Sequence, residues 1–182
     1  MTPEQALAER CRRKESQAFK ELYDTYAGRL FSLCTRYAPT QASAEDVLQD
    51  AFIKIIQSFD SFHYRGAGSL YAWMSRITVN RALDSMKKEG RIQTVTIEES
   101  RAEEIRLEDS DIRDIPEKEL LRMIRELPPG YRTVFNMYAL DGFSHKEIAR
   151  ALGIKERTSS SQYSRARTML AEKIKDYLNK NG

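Results

Sequence analysis

The chain has 182 residues, of which 41% are hydrophobic and 31% charged, a composition typical of a globular protein rather than a disordered one. Its 8 glycines and 5 prolines favour helices over a turn-rich all-β fold. No apolar run approaches the roughly 18 residues that a membrane span needs, and the N-terminus carries no signal-peptide core. We therefore expect a cytoplasmic protein.

The residues that usually carry metal or covalent chemistry are scarce. Cys11 and Cys34 are too few and too far apart for a zinc site or a disulfide framework, so we expect two reduced thiols. His63 and His145 are isolated, which leaves no visible metal cluster or nucleophile–base pair. We predict no catalytic residue, no metal and no cofactor, and a protein that is not an enzyme.

The formal net charge of +3 is unevenly distributed. The stretch from Arg76 to Arg91 has five basic and two acidic residues, and Lys146 to Lys175 has eight basic and three acidic. Between them, Ile92 to Leu120 has four basic and ten acidic residues. Two basic blocks separated by an acidic stretch suggest two surfaces for a polyanion, although charge alone also fits ordinary solvated helix faces.

Helical patterning is nearly continuous from about Ser16 to Arg91 and resumes at Pro116. The acidic stretch between them is poor in aromatic residues and has no clean period. The sequence therefore predicts an all-α fold: two small helical domains, 1–91 and 116–182, joined by a flexible acidic linker over 92–115.

The second block contains the pattern of a helix-turn-helix. Ser144 can cap a helix with Glu147 three residues on, Gly153 supplies a tight turn, and Ile154 fills the angle before a second helix that continues through Tyr177. A Pro-Pro-Gly corner at 128–130 predicts two further helices ahead of it. In such motifs the second helix enters the major groove of DNA.

The second helix of this motif has an apolar and a polar face. The apolar face, predicted to be core, holds Tyr163, Ala166, Leu170, Ile174 and Tyr177. The opposite face and its flanks hold Arg157, Thr158, Ser160, Ser161, Gln162, Ser164, Arg165 and Thr168. Hydroxyl, amide and guanidinium groups suit hydrogen bonds to phosphates and base edges, so we predict DNA contact here.

The first block contains a helix that Ser43 and Asp46 are predicted to open. Its predicted core stripe is Val47, Leu48, Ala51, Phe52, Ile55, Ile56 and Phe59. A second stripe is acidic and amide-rich with one exposed isoleucine, and comprises Asp46, Gln49, Asp50, Ile53 and Gln57. This stripe is either a solvated face or a docking face for a partner protein.

The last helix of the first block is predicted to be buried on one side early and on the other side late. Its early apolar stripe is Leu70, Trp73, Met74 and Ile77, and its late one is Val79, Ala82, Leu83 and Met86. Where the early stripe ends, the same face continues with Asn80, Arg81, Asp84 and Lys88. Aromatic residues beside basic groups can stack and hold unpaired bases, although Phe62 and Trp73 also fit a core role.

Both blocks resemble extracytoplasmic-function (ECF) sigma factors of bacterial RNA polymerase. Residues 124–174 are similar to the domain of that family that reads the −35 promoter element, 44–62 to the helix that grips the polymerase clamp, and 69–91 to the helix that melts the −10 element. The sequence departs from the family pattern in the reader helix, at Arg157, Ser159, Ser160 and Gln162.

The resemblance implies a role for particular residues. Core polymerase binding is expected at Asp46, Gln49, Asp50, Phe52 and Ile53. Contact with the −10 element is expected at Phe62, Trp73, Arg76, Asn80, Arg81, Asp84, Ser85 and Lys88. Contact with the −35 element is expected at Ser144, Arg157, Thr158, Ser160, Ser161, Gln162, Ser164, Arg165 and Arg167.

The expected partners are core RNA polymerase, promoter DNA and an anti-sigma factor, which in this family is commonly membrane-anchored. The alternative from the residues alone is a helix-turn-helix regulator that acts without replacing the polymerase's own sigma subunit, and it predicts tight binding to palindromic duplex sites. A helical scaffold without a DNA role is a further alternative, which the paired basic blocks disfavour.

Overall fold

The computed structural model describes residues 1–91 and 115–181, and these residues form helices and no strand. The chain divides into two compact units, Met1–Gly90 and Arg91–Gly182. The predicted all-α class is thus confirmed for the described residues, none of whose helices is long and apolar enough to cross a membrane. The predicted flexible linker lies, except for Ile115, outside the described residues, so it and the domain bounds drawn from it stay predictions.

The first unit is built on three packed helices. Its elements are α1 (Pro3–Arg12), α2 (Ser16–Tyr37), α3 (Gln41–Gln57), a 3-10 turn (Phe59–Ser61) and α4 (Ser69–Lys88). Helices α2, α3 and α4 pack on one another, and α1 packs on α2. The core includes Leu22, Leu30, Ile55 and Leu70, all fully buried. Each such side chain stabilises the fold by about 1.5–3 kcal/mol relative to an exposed one.

The N-cap of helix α3 lies three residues earlier than predicted. Thr40 occupies the N-cap with an extended backbone, and its Oγ1 accepts the N–H of Ser43 at 3.1 Å. The prediction that Ser43 opens this helix is therefore wrong. Ser43 already lies in the first turn, where its own N–H needs an acceptor, and the preceding threonine supplies one.

The buried side of α4 moves around the helix along its length, as predicted, but gradually. Buried residues follow one another at four-residue steps from Leu70 through Met74, Thr78 and Ala82 to Met86. Each step of four residues turns the position by about 40°, so the four steps carry the buried line about 160° round, nearly to the opposite side of the helix. The polar member of this line is accommodated because Thr78 Oγ1 donates to the carbonyl of Met74 at 2.9 Å.

The second unit surrounds one long helix. Its described elements are α5 (Glu117–Arg125), α6 (Pro129–Phe135), a π turn (Asn136–Leu140), α7 (His145–Leu152) and α8 (Glu156–Asn181). The predicted Pro-Pro-Gly corner is confirmed, because α5 ends before it and Pro129 occupies the first turn of α6. Helices α5, α6 and α7 all pack on α8. The apolar contacts to α8 include Met123 on Ile174 and Leu127 on Ala166.

The turn between α7 and α8 forms as the sequence predicts. Ser144 caps α7: its Oγ accepts the N–H of Glu147, whose carboxylate in turn accepts the N–H of Ser144 at 2.8 Å. Gly153 ends α7 in the left-handed region, at φ 69°, a conformation that costs glycine little. Helix α8 then begins at Glu156 and runs to Asn181, four residues beyond the predicted end.

Candidate functional site

The acidic stripe of α3 is exposed as one row. Asp46, Gln49, Asp50, Ile53 and Gln57 are all exposed, and the Ile53 side chain is 54% exposed. They lie three or four residues apart, and side chains at that spacing share one helix face. An exposed isoleucine within a row of carboxylates and amides gives this face both apolar and acidic character.

The predicted core stripe of α3 is confirmed at Phe52 but is wrong at Ile56. Phe52, expected to contact polymerase as well as to lie in the core stripe, is buried and packs against the Tyr23 ring, with 4.7 Å between centroids. Ile56, predicted to be core, is 47% exposed, as is Tyr23. The α3 row therefore continues into an apolar margin formed by Ile56 and Tyr23. Periodicity did not show this, because Tyr23 comes from α2.

The polar side of α4 combines exposed cationic and amide side chains with an ion pair between two residues of the helix. Arg76, Asn80 and Lys88 are exposed. Arg81 and Asp84 form an ion pair of 2.8 Å with each other on the helix surface, and Ser85 Oγ donates to Glu89 at 3.0 Å. The predicted residues of this helix are thus on one continuous surface, where the Arg81–Asp84 pair reduces the net positive charge.

Trp73 of α4 and two neighbouring phenylalanines form an aromatic cluster that is only partly exposed to solvent. The half-buried Trp73 ring lies edge-on to Phe59, at 5.4 Å, and beside Phe62, at 5.2 Å. Phe62 is only 2% exposed. Phe62 therefore supports Trp73 from the interior, and its predicted direct contact with DNA is not available in this arrangement.

The exposed side of α8 carries most of the residues predicted to meet DNA. Arg157, Ser160, Ser164 and Arg167 are exposed, whereas Thr158, Ser161 and Arg165 are half-buried. Arg165 Nη1 lies 3.4 Å from the Tyr131 hydroxyl, and the Arg167 guanidinium lies 5.9 Å from the Tyr163 ring centroid. Ser144, at the start of α7, is exposed, but its hydroxyl is engaged in the capping box.

Gln162, predicted to flank the DNA face, is buried, at 3% exposure. Together with Ser159, which is fully buried, and Ala166, it continues the line of α8 that faces the unit's interior. The predicted core face of α8 was based on apolar residues alone. It therefore did not include Ser159 and Gln162, which are polar. Ser159 Oγ is 2.9 Å from His145 Nδ1, and His145 stacks on Tyr138 at 4.2 Å.

A set of contacts made by α1 was not predicted from the sequence. The two carboxylate oxygens of Glu4 accept the N–H groups of Gly68 and Leu70, at 2.7 and 2.8 Å. Thr2 Oγ1 lies 2.9 Å from the Tyr64 hydroxyl, and Arg12 Nη2 donates to the carbonyl of Phe62 at 2.8 Å. These contacts join residues 50 to 66 positions apart, a separation at which no sequence periodicity signals a contact.

The two cysteines lie apart from these surfaces. Cys11 and Cys34 are free thiols and fully buried. Burial raises the pKa of Cys11 to about 11 and that of Cys34 to about 12. Both thiols are therefore protonated at neutral pH and behave as small apolar core residues.

Comparison with known proteins identifies both units. Residues 22–92 match the family model for Sigma-70 region 2, and residues 117–170 match the model for Sigma-70 region 4. The chain is 31% identical to the ECF RNA polymerase sigma-E factor of Haemophilus influenzae, over 94% of this chain and 95% of that protein. The sigma-E factor of Escherichia coli is also 31% identical, over 94% of each chain.

Solved structures have the same fold. The Bartonella quintana sigma factor RpoE, crystallised with the anti-sigma factor NepR, superposes with a TM-score of 0.54 at 25% identity, over 86% of this chain and 96% of that one. CnrH, in complex with the cytosolic domain of CnrY, has a TM-score of 0.50 at 20% identity over 97% of both chains, which shows the fold alone.

A helical protein whose two units match regions 2 and 4 in this order is a sigma-70-type initiation factor, not a regulator that shares only its helix-turn-helix. The identity with sigma-E factors over nearly the whole length is more specific: the chain belongs to the ECF sigma factors and directs promoter-specific transcription initiation by RNA polymerase.

Proposed function

We propose that the exposed row of α3 is the surface through which this sigma factor binds core RNA polymerase. The observation that supports it best is the exposure of Asp46, Gln49 and Asp50 in one row with Ile53. An isoleucine left 54% exposed in such a row suits a partner surface that offers basic groups around an apolar contact. Phe52 contributes from beneath, by fixing the helix against Tyr23.

We further propose that α4 and the loop over residues 62–68 receive the unpaired strand of the −10 element. Trp73 offers a partly open ring, and a base stacked on an aromatic side chain gains about 1–3 kcal/mol. Arg76, Asn80 and Lys88 are exposed along the same helix, where they can bond phosphates and base edges. Arg81, Asp84 and Ser85 complete this surface, and Phe62 backs Trp73 from the interior.

For the −35 element, we propose that the first three turns of α8 enter the major groove. Arg157, Ser160, Ser164 and Arg167 are exposed there, with Thr158, Ser161 and Arg165 at the margin. Ser144 holds the start of α7 and so fixes the angle of the motif. We assign Gln162 to packing rather than to base contact, because its side chain is buried.

We also propose that the protein acts in the cytoplasm and that a partner protein regulates it. The Bartonella quintana relative was crystallised with an anti-sigma factor, and we propose a partner of the same kind here, membrane-anchored as is common in this family. Strand opening by capture of extruded bases exchanges base pairing for stacking and hydrogen bonds, so it requires no covalent step and no cofactor.

Run-off transcription tests the proposed function as a whole. Purified chain is added to core polymerase on a fragmented genomic template, and transcripts are mapped. We expect new start sites preceded by a shared pair of sequence elements. Start sites that do not change on addition of the chain would overturn the proposal, and tight binding to palindromic duplex DNA without polymerase would favour an ordinary regulator.

The α3 row is tested separately by reversing one charge. Asp50→Arg places a cation where we expect basic polymerase groups, and such like-charge contacts cost several kcal/mol, so core affinity should fall by about 100-fold or more. Asp24→Arg is the matched control, because Asp24 is an exposed carboxylate of the same unit that lies on α2, on the side opposite the buried Leu22. Fluorescence anisotropy of labelled chain with core enzyme gives both affinities; equal losses in the two variants would refute the assigned face.

A further inference from the structure

The 62–68 loop, which the proposed function places at the unpaired strand, is held from outside its own sequence neighbourhood. Two of its residues, Gly66 and Gly68, have positive φ values, of 119° and 82°. These conformations come at little steric cost to glycine, but glycine also loses the most conformational freedom when a chain is ordered. Local hydrogen bonds from the Arg65 N–H to Ser69 Oγ and from the Ser69 N–H to the Gly66 carbonyl hold part of the loop, and contacts from outside it add to them.

Glu4 provides one such contact. Helix α4 begins with Gly68 at its N-cap, which has no side chain to bond the free N–H groups of the first turn. The Glu4 carboxylate accepts two of them, from Gly68 and Leu70. A carboxylate at this end of a helix is also favoured by the helix dipole, so α1 caps α4 from more than 60 residues away.

Two other residues of the N-terminal segment hold the same loop. Thr2 is within hydrogen-bond distance of Tyr64, and Arg12 donates to the carbonyl of Phe62. The contacts thus fall at the beginning, middle and end of the loop. Residues 2–12 lie before the stretch matched by the region 2 family model, which begins at residue 22.

We propose that Glu4 is a positioning residue for promoter opening: by bridging the Gly68 and Leu70 amides it keeps the 62–68 loop in the shape that receives an extruded base. This rests on the proposed role of the loop at the −10 element. Without the bridge, the loop must become ordered when the base binds. The conformational entropy lost in that step lowers the rate and affinity of strand capture.

The test compares Glu4→Gln with the unmodified chain in holoenzyme. Glutamine keeps the shape, but its one carbonyl oxygen replaces two charged acceptors and its NH₂ faces a backbone donor. The probe is a fork-junction DNA carrying the non-template −10 strand of the strongest run-off promoter. We expect Glu4→Gln to bind it about 5- to 30-fold more weakly. Asp24→Asn, which removes an exposed carboxylate elsewhere in the same unit, should bind within about twofold of the unmodified chain.

An abasic scan of that strand separates positioning from general stability. If Glu4 acts through the loop, removing the one base that the loop receives should erase the difference between Glu4→Gln and the unmodified chain, because the two changes then remove the same interaction. A loss that persists equally at every abasic position, or no loss on the intact strand, would overturn the proposal.

Hydrogen exchange gives a readout that needs no promoter. In Glu4→Gln the amides of Gly68 and Leu70 should exchange about 5- to 30-fold faster, while those in the middle of α2 and α3 keep their rates. Unchanged exchange at these two amides would overturn the proposal even if the sigma assignment holds. If the unmodified chain forms no promoter complex, the proposed function fails, and the positioning role fails with it.

Discussion

Arg157 and Arg165 both belong to the predicted DNA face of α8, but their surroundings differ. Arg157 is exposed in the first turn of the helix, whereas Arg165 is half-buried and its Nη1 lies 3.4 Å from the Tyr131 hydroxyl. In helix-turn-helix proteins the N-terminal residues of the second helix reach the base edges. We therefore expect Arg157 to read a base and Arg165 to contact phosphate.

Changing each arginine to alanine should affect promoter binding in a different way. Arg157→Ala should cost about 1–3 kcal/mol at one base pair of the −35 element and relax the preference there, whereas Arg165→Ala should weaken binding to all promoters alike and lower the salt slope of binding by about 1. Holoenzyme affinity for a set of −35 point variants, measured at several salt concentrations, gives both quantities.

Lys175→Ala is the control for this pair, since Lys175 is an exposed cation on the same helix, about 27 Å along it from Arg157 and about 15 Å from Arg165. Its promoter affinity should stay within about twofold of the unmodified chain. A uniform loss in Arg157→Ala, or a base-specific loss in Arg165→Ala, would reverse the two assignments.

At the scale of the elements, replacing glycine by alanine should have opposite effects on stability at two positions. Gly153 ends α7 at φ 69°, while Gly28 lies within α2 and is exposed. A Cβ added at either position meets no atom within 4 Å, so backbone conformation alone decides the outcome. Gly153→Ala should destabilise the second unit by about 1 kcal/mol, and Gly28→Ala should stabilise the first by about 0.5–1 kcal/mol.

Urea unfolding with two probes measures these effects. Fluorescence of Trp73, the one tryptophan of the sequence, follows the first unit, and hydrogen exchange in α7 and α8 follows the second. Gly28→Ala should raise the fluorescence midpoint, and Gly153→Ala should speed exchange in α8. A lowered midpoint in Gly28→Ala would mean that propensity does not govern α2 at this position.

How far sequence predicts these elements depends on how local the cause is. The capping box of Ser144 and the left-handed Gly153 depend on residues three or four apart, and both were predicted and confirmed. The burial of Gln162 and the exposure of Ile56 depend on which neighbours each helix packs against. The Glu4 contacts depend on the whole first unit being folded. Residue patterns along the chain therefore indicate features of the first kind and not those of the other two.

The same contrast holds for the candidate surfaces. The α3 row and the exposed side of α8 were predicted because polar residues recur there at helical spacing. The apolar margin at Tyr23 and Ile56 was not predicted, since it joins side chains from two helices. A surface predicted from one helix at a time therefore has the correct central residues. It lacks the residues that a neighbouring helix contributes at the edge.

At the scale of the whole molecule, the two units have separate cores. Leu22, Ile55 and Leu70 are buried in the first, and Met123 packs with Ile174 in the second. Each unit also carries its own proposed DNA surface. We therefore expect fragments 1–91 and 115–182 to fold separately, each with a cooperative urea transition.

Joining the units should nevertheless be necessary for efficient initiation. When one unit of the intact chain is bound, the other is held near its site at an effective concentration in the millimolar range, and this advantage is lost when the chain is divided. The two fragments, mixed at about 1 μM each with core polymerase, should give about 10²- to 10⁴-fold less promoter-specific transcript than the intact chain. Fragment 1–91 alone should still bind core enzyme and lose that binding in Asp50→Arg. Full activity of the mixed fragments would show that contacts within the holoenzyme, rather than the covalent connection, bring the two units to the promoter together.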